Sequence, residues 1–304
     1  MTGNGANKWQ SAHNMSGRIN WFPGHMAKAL RQVKQQIAKV DVVVEIRDAR
    51  VPLSSGNPAL VDMCGEKPRL IVLNKMNLAD KAISEAWQHW FQQHQQPAVF
   101  VNALQAPTLK QIAQHCRRMM KEKWQSFQKK GIKPPPLRLM IVGIPNTGKS
   151  TIINRLTRRS AAKTGDRPGV TRSQEWIVLG KDMELLDTPG IMPPRIETEE
   201  QGMWLCAIHA IKDEIMGHEK VAAYVVNQLV KINAERFKKR YQLERLDHTA
   251  EEIFLHIGER LNYKKKKGEI DLMKTFNQVL KDFRNGLLGP CSFETPLEST
   301  DKDI

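Results

Sequence analysis

The sequence predicts an α/β fold: a mostly parallel sheet of about six strands built around a phosphate-binding loop, followed by a smaller all-α domain. Three observations predict it. Six short, β-branched or apolar runs precede residue 188, and stretches of helical spacing separate them. A glycine-rich turn joins one of these runs to a helix at 143–150. Between 197 and 290 no convincing strand occurs, and apolar residues recur at helical spacing instead.

The elements follow in order. Residues 1–19 are polar and are expected to form a flexible segment. Helical spacing runs over 26–38. VDVVVEI (40–46) is a short, mostly apolar, β-branched run, which reads as a buried strand. LIVLN (70–74) and AVFV (98–101) read the same way, with a helix between them over 83–93. A single helix is expected over 108–124. LRLMIVG (137–143) is the next strand, followed by a turn and a helix over 150–157. EWIVL (175–179) and MELLD (183–187) complete the sheet. Beyond 190, Val221, Val225, Leu229 and Ile232 mark a helix. The expected organisation is a flexible segment (1–19), an α/β domain (20–196), a helical domain (197–290) and a tail (291–304). PPRIETEE (193–200) is the junction.

Composition narrows the function. The 304 residues carry 47 Lys and Arg against 32 Asp and Glu, a net charge of +15. That excess points to a polyanionic partner. It is concentrated: residues 110–138 hold nine basic residues and one acid, and 231–290 hold fourteen basic and nine acidic. RNA phosphates suit such surfaces. No apolar run reaches the length of a membrane span, and the first residues lack the apolar stretch of a secretory signal. Cys64, Cys116, Cys206 and Cys291 form no CxxC pair, which argues against a disulfide framework or a structural zinc site.

Residues 143–150 read Gly-Ile-Pro-Asn-Thr-Gly-Lys-Ser, a full match to GxxxxGK[ST] between a strand and a helix. In such a loop, backbone N–H groups from Gly143 through Asn146, Thr147 and Gly148 to Lys149 cradle phosphate oxygens at a helix N-terminus. Lys149 reaches the β and γ phosphates, Ser150 offers its hydroxyl to Mg²⁺, and Thr151 is counted with the contacts that follow. About 40 residues on, Asp187-Thr188-Pro189-Gly190 ends a strand. Asp187 is the candidate acid behind Mg²⁺, and the Gly190 N–H the candidate γ-phosphate sensor. Thr171, between the two motifs, is the candidate second hydroxyl ligand of the metal.

A nucleotide site also needs a base reader. Guanine is usually read by Asn-Lys-x-Asp at a strand end downstream of the phosphate loop, and nothing beyond 190 offers one. Upstream, LIVLNKMN (70–77) does: Asn74 and Lys75 end a strand, and Asn102 and Ala103 end the next, where a small-residue loop backs the purine. The base motif therefore precedes the phosphate motif. This is the order of a circularly permuted Ras-like P-loop GTPase domain, and permutation is tolerated where termini and loop tips are exposed.

With these motifs in place, the chain resembles the ribosome biogenesis GTPase A family (RbgA, also called YlqF). The resemblance is carried by NWFPGHMAKA (20–29), DARVPLSSGNP (48–58), LNKMN (73–77), GIPNTGKSTIIN (143–154), AKTGDRPGVT (162–171), LLDTPGI (185–191) and AIKDEI (210–215). It implies a GTP-hydrolysing factor that binds the large ribosomal subunit precursor through rRNA and promotes its late maturation. The GTP-bound form would bind and hydrolysis would release it. It further implies GTP/GDP, Mg²⁺ and K⁺ as cofactors, stimulation by the ribosome, a monomer off the ribosome, no stable membrane association and a bacterial cytoplasmic setting, with the mitochondrial matrix as the alternative. Ile191, following Gly190, cannot orient a water. The resemblance therefore assigns Asn146 to K⁺ coordination and His25 to catalysis. One position departs from the pattern. Asn77 stands where the family has Asp, which accepts from guanine N1–H and N2–H₂. Asn presents one acceptor and one misplaced donor, so weakened guanine affinity is expected, with Asp80 as a substitute if the loop is shifted. Two other readings stay open: a GTP-gated switch for a protein or membrane partner, and a P-loop metabolic phosphotransferase.

Overall fold

The computed structural model describes residues 24–161, 176–186, 196–246 and 249–296. Six strands form one sheet in the order β3-β2-β1-β4-β6-β5. They are β1 (Val42–Asp48), β2 (Arg69–Asn74), β3 (Ala98–Phe100), β4 (Leu137–Gly143), β5 (Trp176–Leu179) and β6 (Met183–Leu186). All neighbours are parallel except β5 on β6. The chain enters at β1, lays β2 and β3 to one side, then returns to the other side of β1 with β4, β6 and β5. The order therefore reverses between β1 and β4. In open α/β sheets the ligand crevice lies beyond the strand carboxyl ends at that point. The fold is a circularly permuted Ras-like P-loop GTPase domain, as the motif order predicts.

Period-two alternation in the strands divides the core. Val42, Val44 and Ile46 join Leu70, Val72, Leu139 and Ile141 on one face, beneath Leu109, Ile112 and Cys116 of α4 (Ala106–Met119) and Ile152 of α6 (Lys149–Ala161). Val43, Met140 and Val142 point the other way, to Val33 and Ile37 of α1 (Gly24–Ile37) and Leu60 of α2 (Ala59–Cys64). Trp87 and Phe91 of α3 (Lys81–Gln93) cover Ile71 and Leu73. Each such fully buried side chain contributes roughly 1.5–3 kcal/mol.

The helix expected over 108–124 is in fact two, α4 and α5 (Lys121–Lys129). Met120 leaves helical geometry (φ −98°, ψ 6°) while its side chain stays in the sheet's core. Burying that thioether outweighs helix continuity. The charge in β1 is also explained. Glu45 is buried but accepts from Arg47, Arg69 and the Asn57 N–H. Burial pushes its carboxyl up, and the two guanidinium groups outweigh this and hold it low.

The C-terminal part is helical: α7 (Glu199–Ala207), α8 (His218–Tyr241), α9 (Ala250–Arg260) and α10 (Leu272–Arg284). They share a core of Leu205, Val225, Leu229, Phe254, Ile257, Val279 and Phe283. This core also takes in Val51 and Ile144, both from the α/β part. A kink at Asn233 breaks α8, where the side-chain amide donates to the Pro290 carbonyl. Residues 291–296, set apart as a tail in the sequence, lie against the α/β part. Cys291 N–H donates to Leu78 O, Phe293 N–H to Arg50 O, and the Trp87 indole to Glu294 O. The Glu294 carboxylate accepts from Leu53 N–H, Ser54 N–H and the Ser54 hydroxyl. Burial pushes its pKa up against those hydrogen bonds.

Candidate functional site

The glycine-rich turn starts where β4 ends and runs into α6. Gly143 lies so close to β1 that a Cβ there would sit 2.5 Å from the Ile46 carbonyl oxygen. Gly148 has φ +92°, and a Cβ on it would overlap the Asn74 amide nitrogen. Thr147 is fully buried, and its hydroxyl donates to Ile144 O at 2.9 Å. Backbone carbonyls and side chains thus tie the loop down from beneath. Lys149, Ser150 and Thr151 open the helix, with Ser150 and Thr151 exposed and no acid in the first turn. An anion meets no like charge there.

The base motif converges on this loop. Asn74 ends β2, 1% exposed. Its amide donates to Thr147 O at 2.8 Å, and its amide oxygen accepts the Ala103 N–H at 2.9 Å. One side chain therefore bridges the phosphate loop and the loop after β3, although 73 residues separate it from Thr147. Asn102 shapes that loop by accepting the Leu104 N–H at 3.0 Å. Arg155 of α6 donates to Leu104 O at 2.6 Å, a second tie between the two halves. Lys75 adopts a left-handed conformation (φ 60°, ψ 33°), and its ammonium meets Asp48 at 3.0 Å. Burial lowers the Lys75 pKa, and Asp48 only partly opposes this.

Asn77 sits exposed on the short 3-10 turn Met76–Leu78. Asp80, the substitute considered for it, is engaged at one carboxylate oxygen. The Asp80 carboxylate caps α3, accepting the Ile83 N–H at 3.0 Å, and its own N–H is held by Ser292 Oγ. Asn146, exposed and at φ 61°, donates to the carbonyl of His209 at 2.6 Å. Its N–H₂ is thus engaged by the helical part, whereas a cation uses the amide oxygen. His25 falls in the first turn of α1, its side chain outside the described set. Thr171, Asp187 and Gly190 also lie outside the described residues. Of the Mg²⁺ set, Ser150 is described, its hydroxyl-bearing side chain exposed at the helix start as metal ligation requires. Among the described residues no cluster of three His, Cys, Asp or Glu offers an all-protein metal site.

Sequence reasoning missed two contributors. Asp48 bears on the base motif, and because its strand also carries Glu45 and Arg47, its charge alone gives no distinct signal. His209 acts through its backbone carbonyl, for which sequence carries no signal.

Charge also redistributes. Of the nine basic residues in 110–138, Arg117 pairs with Asp182, Lys123 with Asp41 and Arg138 with Glu184. Lys110, Arg118, Lys121, Lys129, Lys130 and Lys133 remain on the surface. Lys264–Lys267 are exposed together, at the turn closed by the Lys264–Ile270 bridge.

Comparison with known proteins agrees with this geometry. Residues 138–266 match a family model described as a 50S ribosome-binding GTPase. The match begins at β4, so the base motif lies upstream of it. A ribosome biogenesis GTPase A from Bacillus cereus is 46% identical over 280 residues, covering 92% of this chain and 95% of that protein. The mitochondrial ribosome-associated GTPase 1 of Mus musculus is 31% identical, with 92% of each covered. Among solved structures, GNP-bound YlqF from T. maritima superposes with a TM-score of 0.61 at 25% identity, covering 89% of this chain and 99% of that one. The bridge at Asn74, the permuted strand order and these relatives lead to one conclusion: the chain belongs to the ribosome biogenesis GTPase A family.

Proposed function

We propose that this protein hydrolyses GTP to GDP and phosphate on a precursor of the large ribosomal subunit, which it binds through rRNA during late maturation. The observation that carries this is Asn74, which locks the phosphate loop and the base loop into one purine-triphosphate site. In this reading Asn74, Lys75, Asn77, Asn102 and Ala103 face the base, and residues 143–151 hold the phosphates. Ser150, Thr171 and Asp187 would hold Mg²⁺, which neutralises charge on the phosphates when bound. Asn146 would take K⁺, and His25 would assist the water. Residues 20–196 hydrolyse, and 197–290 bind RNA together with the surface lysines of α4 and α5.

The coupling between the two parts has physical support. Asn146 is bonded to His209 of the helical part. Ile196, nine positions after Asp187, is 2% exposed within the helical core. A loop ordered by the γ phosphate would pull directly on that core. The test is GTP turnover by the full chain, with and without large-subunit particles, in KCl and in NaCl at equal ionic strength. Turnover is expected to rise with particles and to be higher in KCl. Co-sedimentation with the particles should be stronger with a non-hydrolysable GTP analogue than with GDP. Equal sedimentation would remove the switch, and equal turnover in the two salts would remove the cation.

A further inference from the structure

We infer that Asp48, the carboxylate closing the central strand β1, is a positioning residue that fixes Lys75 for the nucleotide. This rests on the base-reading role proposed above for Asn74 and Lys75. Asp48 is fully buried, and in the β1–β2 register it stands opposite Asn74. The next peptide along, Ala49 N–H, donates to Asn74 O at 2.8 Å. The Asp48 carboxylate is held from one side by Arg50, with Nε at 2.9 Å, Nη2 at 2.8 Å and the Arg50 N–H at 3.1 Å. Its Oδ2 then reaches the Lys75 ammonium at 3.0 Å.

Two features make this pair more than a stabilising contact. Lys75 occupies a left-handed backbone conformation, which costs a side-chain-bearing residue roughly 1–2 kcal/mol. A flexible four-carbon stem leaving such a turn needs an anchor to hold one direction. The charges facing its ammonium are Asp48 from β1, Arg50 from the loop after β1, and Arg284 from α10. Asp48 is thus the anion that keeps a cation among cations. Arg50 is itself gripped by the helical part. Its guanidinium lies 5.0 Å from the Phe283 ring centroid, and its carbonyl accepts the Phe293 N–H at 3.0 Å. Docking of α10 and residues 291–294 therefore reaches the base through Arg50, Asp48 and Lys75 in turn.

The experiment measures the affinity of the full chain for fluorescently labelled GDP across neutral to alkaline pH, in Lys75→Met, Asp48→Asn and the double variant. Lys75→Met is expected to weaken binding and to report the background, including titration of guanine itself. Asp48→Asn is expected to weaken it roughly tenfold, within the range for directly coupled residues. Because the charged ammonium is the binding form, affinity falls as pH rises, and loss of Asp48 should move that fall to lower pH. In the Lys75→Met background Asp48→Asn should add nothing. Wild-type affinity and pH profile in Asp48→Asn, alongside a weakened Lys75→Met, would overturn the inference alone. Wild-type affinity in Lys75→Met would overturn the base-reading role beneath it. If Asp48→Asn does not fold, NMR of the wild-type GDP complex decides. A through-hydrogen-bond coupling between Lys75 Nζ and the Asp48 carboxyl carbon is expected, and a freely rotating ammonium would overturn the pairing.

Discussion

Gly148→Ala is expected to abolish useful nucleotide binding while leaving the chain folded. Two costs combine. The backbone at 148 has φ +92°, a region that a residue with a Cβ occupies only with strain of about 1–3 kcal/mol. The new methyl also overlaps the Asn74 amide, which must then leave Thr147 O and Ala103 N–H. Two buried hydrogen bonds break, at roughly 0.5–1.5 kcal/mol each. The phosphate loop and base loop would separate at the position that joins them. A combined effect near 3 kcal/mol corresponds to a loss of affinity of roughly a hundredfold. Calorimetric titration with GDP, beside a thermal melt showing one cooperative transition, measures it. A folded variant with near-normal affinity would mean that Asn74 is not the joint.

The second large effect runs the other way. Asn77→Asp is expected to tighten GDP binding. Asn77 is exposed on its short turn, so the exchange disturbs no core packing. One oxygen of the Asp80 carboxylate is already engaged in the α3 cap. An Asp at 77 presents two acceptors to guanine N1–H and N2–H₂ where Asn presents one acceptor and one donor. Removing the mismatch is worth about 1–3 kcal/mol, or roughly five- to 150-fold in affinity. Xanthosine diphosphate should respond oppositely, since its oxygen at position 2 suits the Asn amide. Titrating both nucleotides against both chains checks this. Unchanged GDP affinity would show that guanine is read without position 77.

Much of the sheet and of the phosphate site was legible because both are governed by local pattern. LRLMIVG followed by GIPNTGKS specifies a buried strand, a turn and a helix start within 14 residues. The motif order predicts the Asn74 strand end beside the glycine-rich loop, but not its bond to Thr147 O. What sequence did not show is long-range. Met120 breaks a helix to fill the sheet's core, an outcome set by neighbours remote in the chain. Arg117, Lys123 and Arg138 look like free cations until Asp182, Asp41 and Glu184 arrive beside them. Lys75 gives no hint of a left-handed backbone, because a residue with a Cβ disfavours it.

Glu294 contacts Leu53 and Ser54 across about 240 positions of chain. During translation the turn beyond the first strand emerges early and waits for that carboxylate. At about 5–20 residues per second the delay is on the order of ten seconds or more. Throughout that interval the turn's exposed amides face water or a chaperone. The turn after the first strand is therefore closed only by chain made about 240 positions later, once the helical part has followed it.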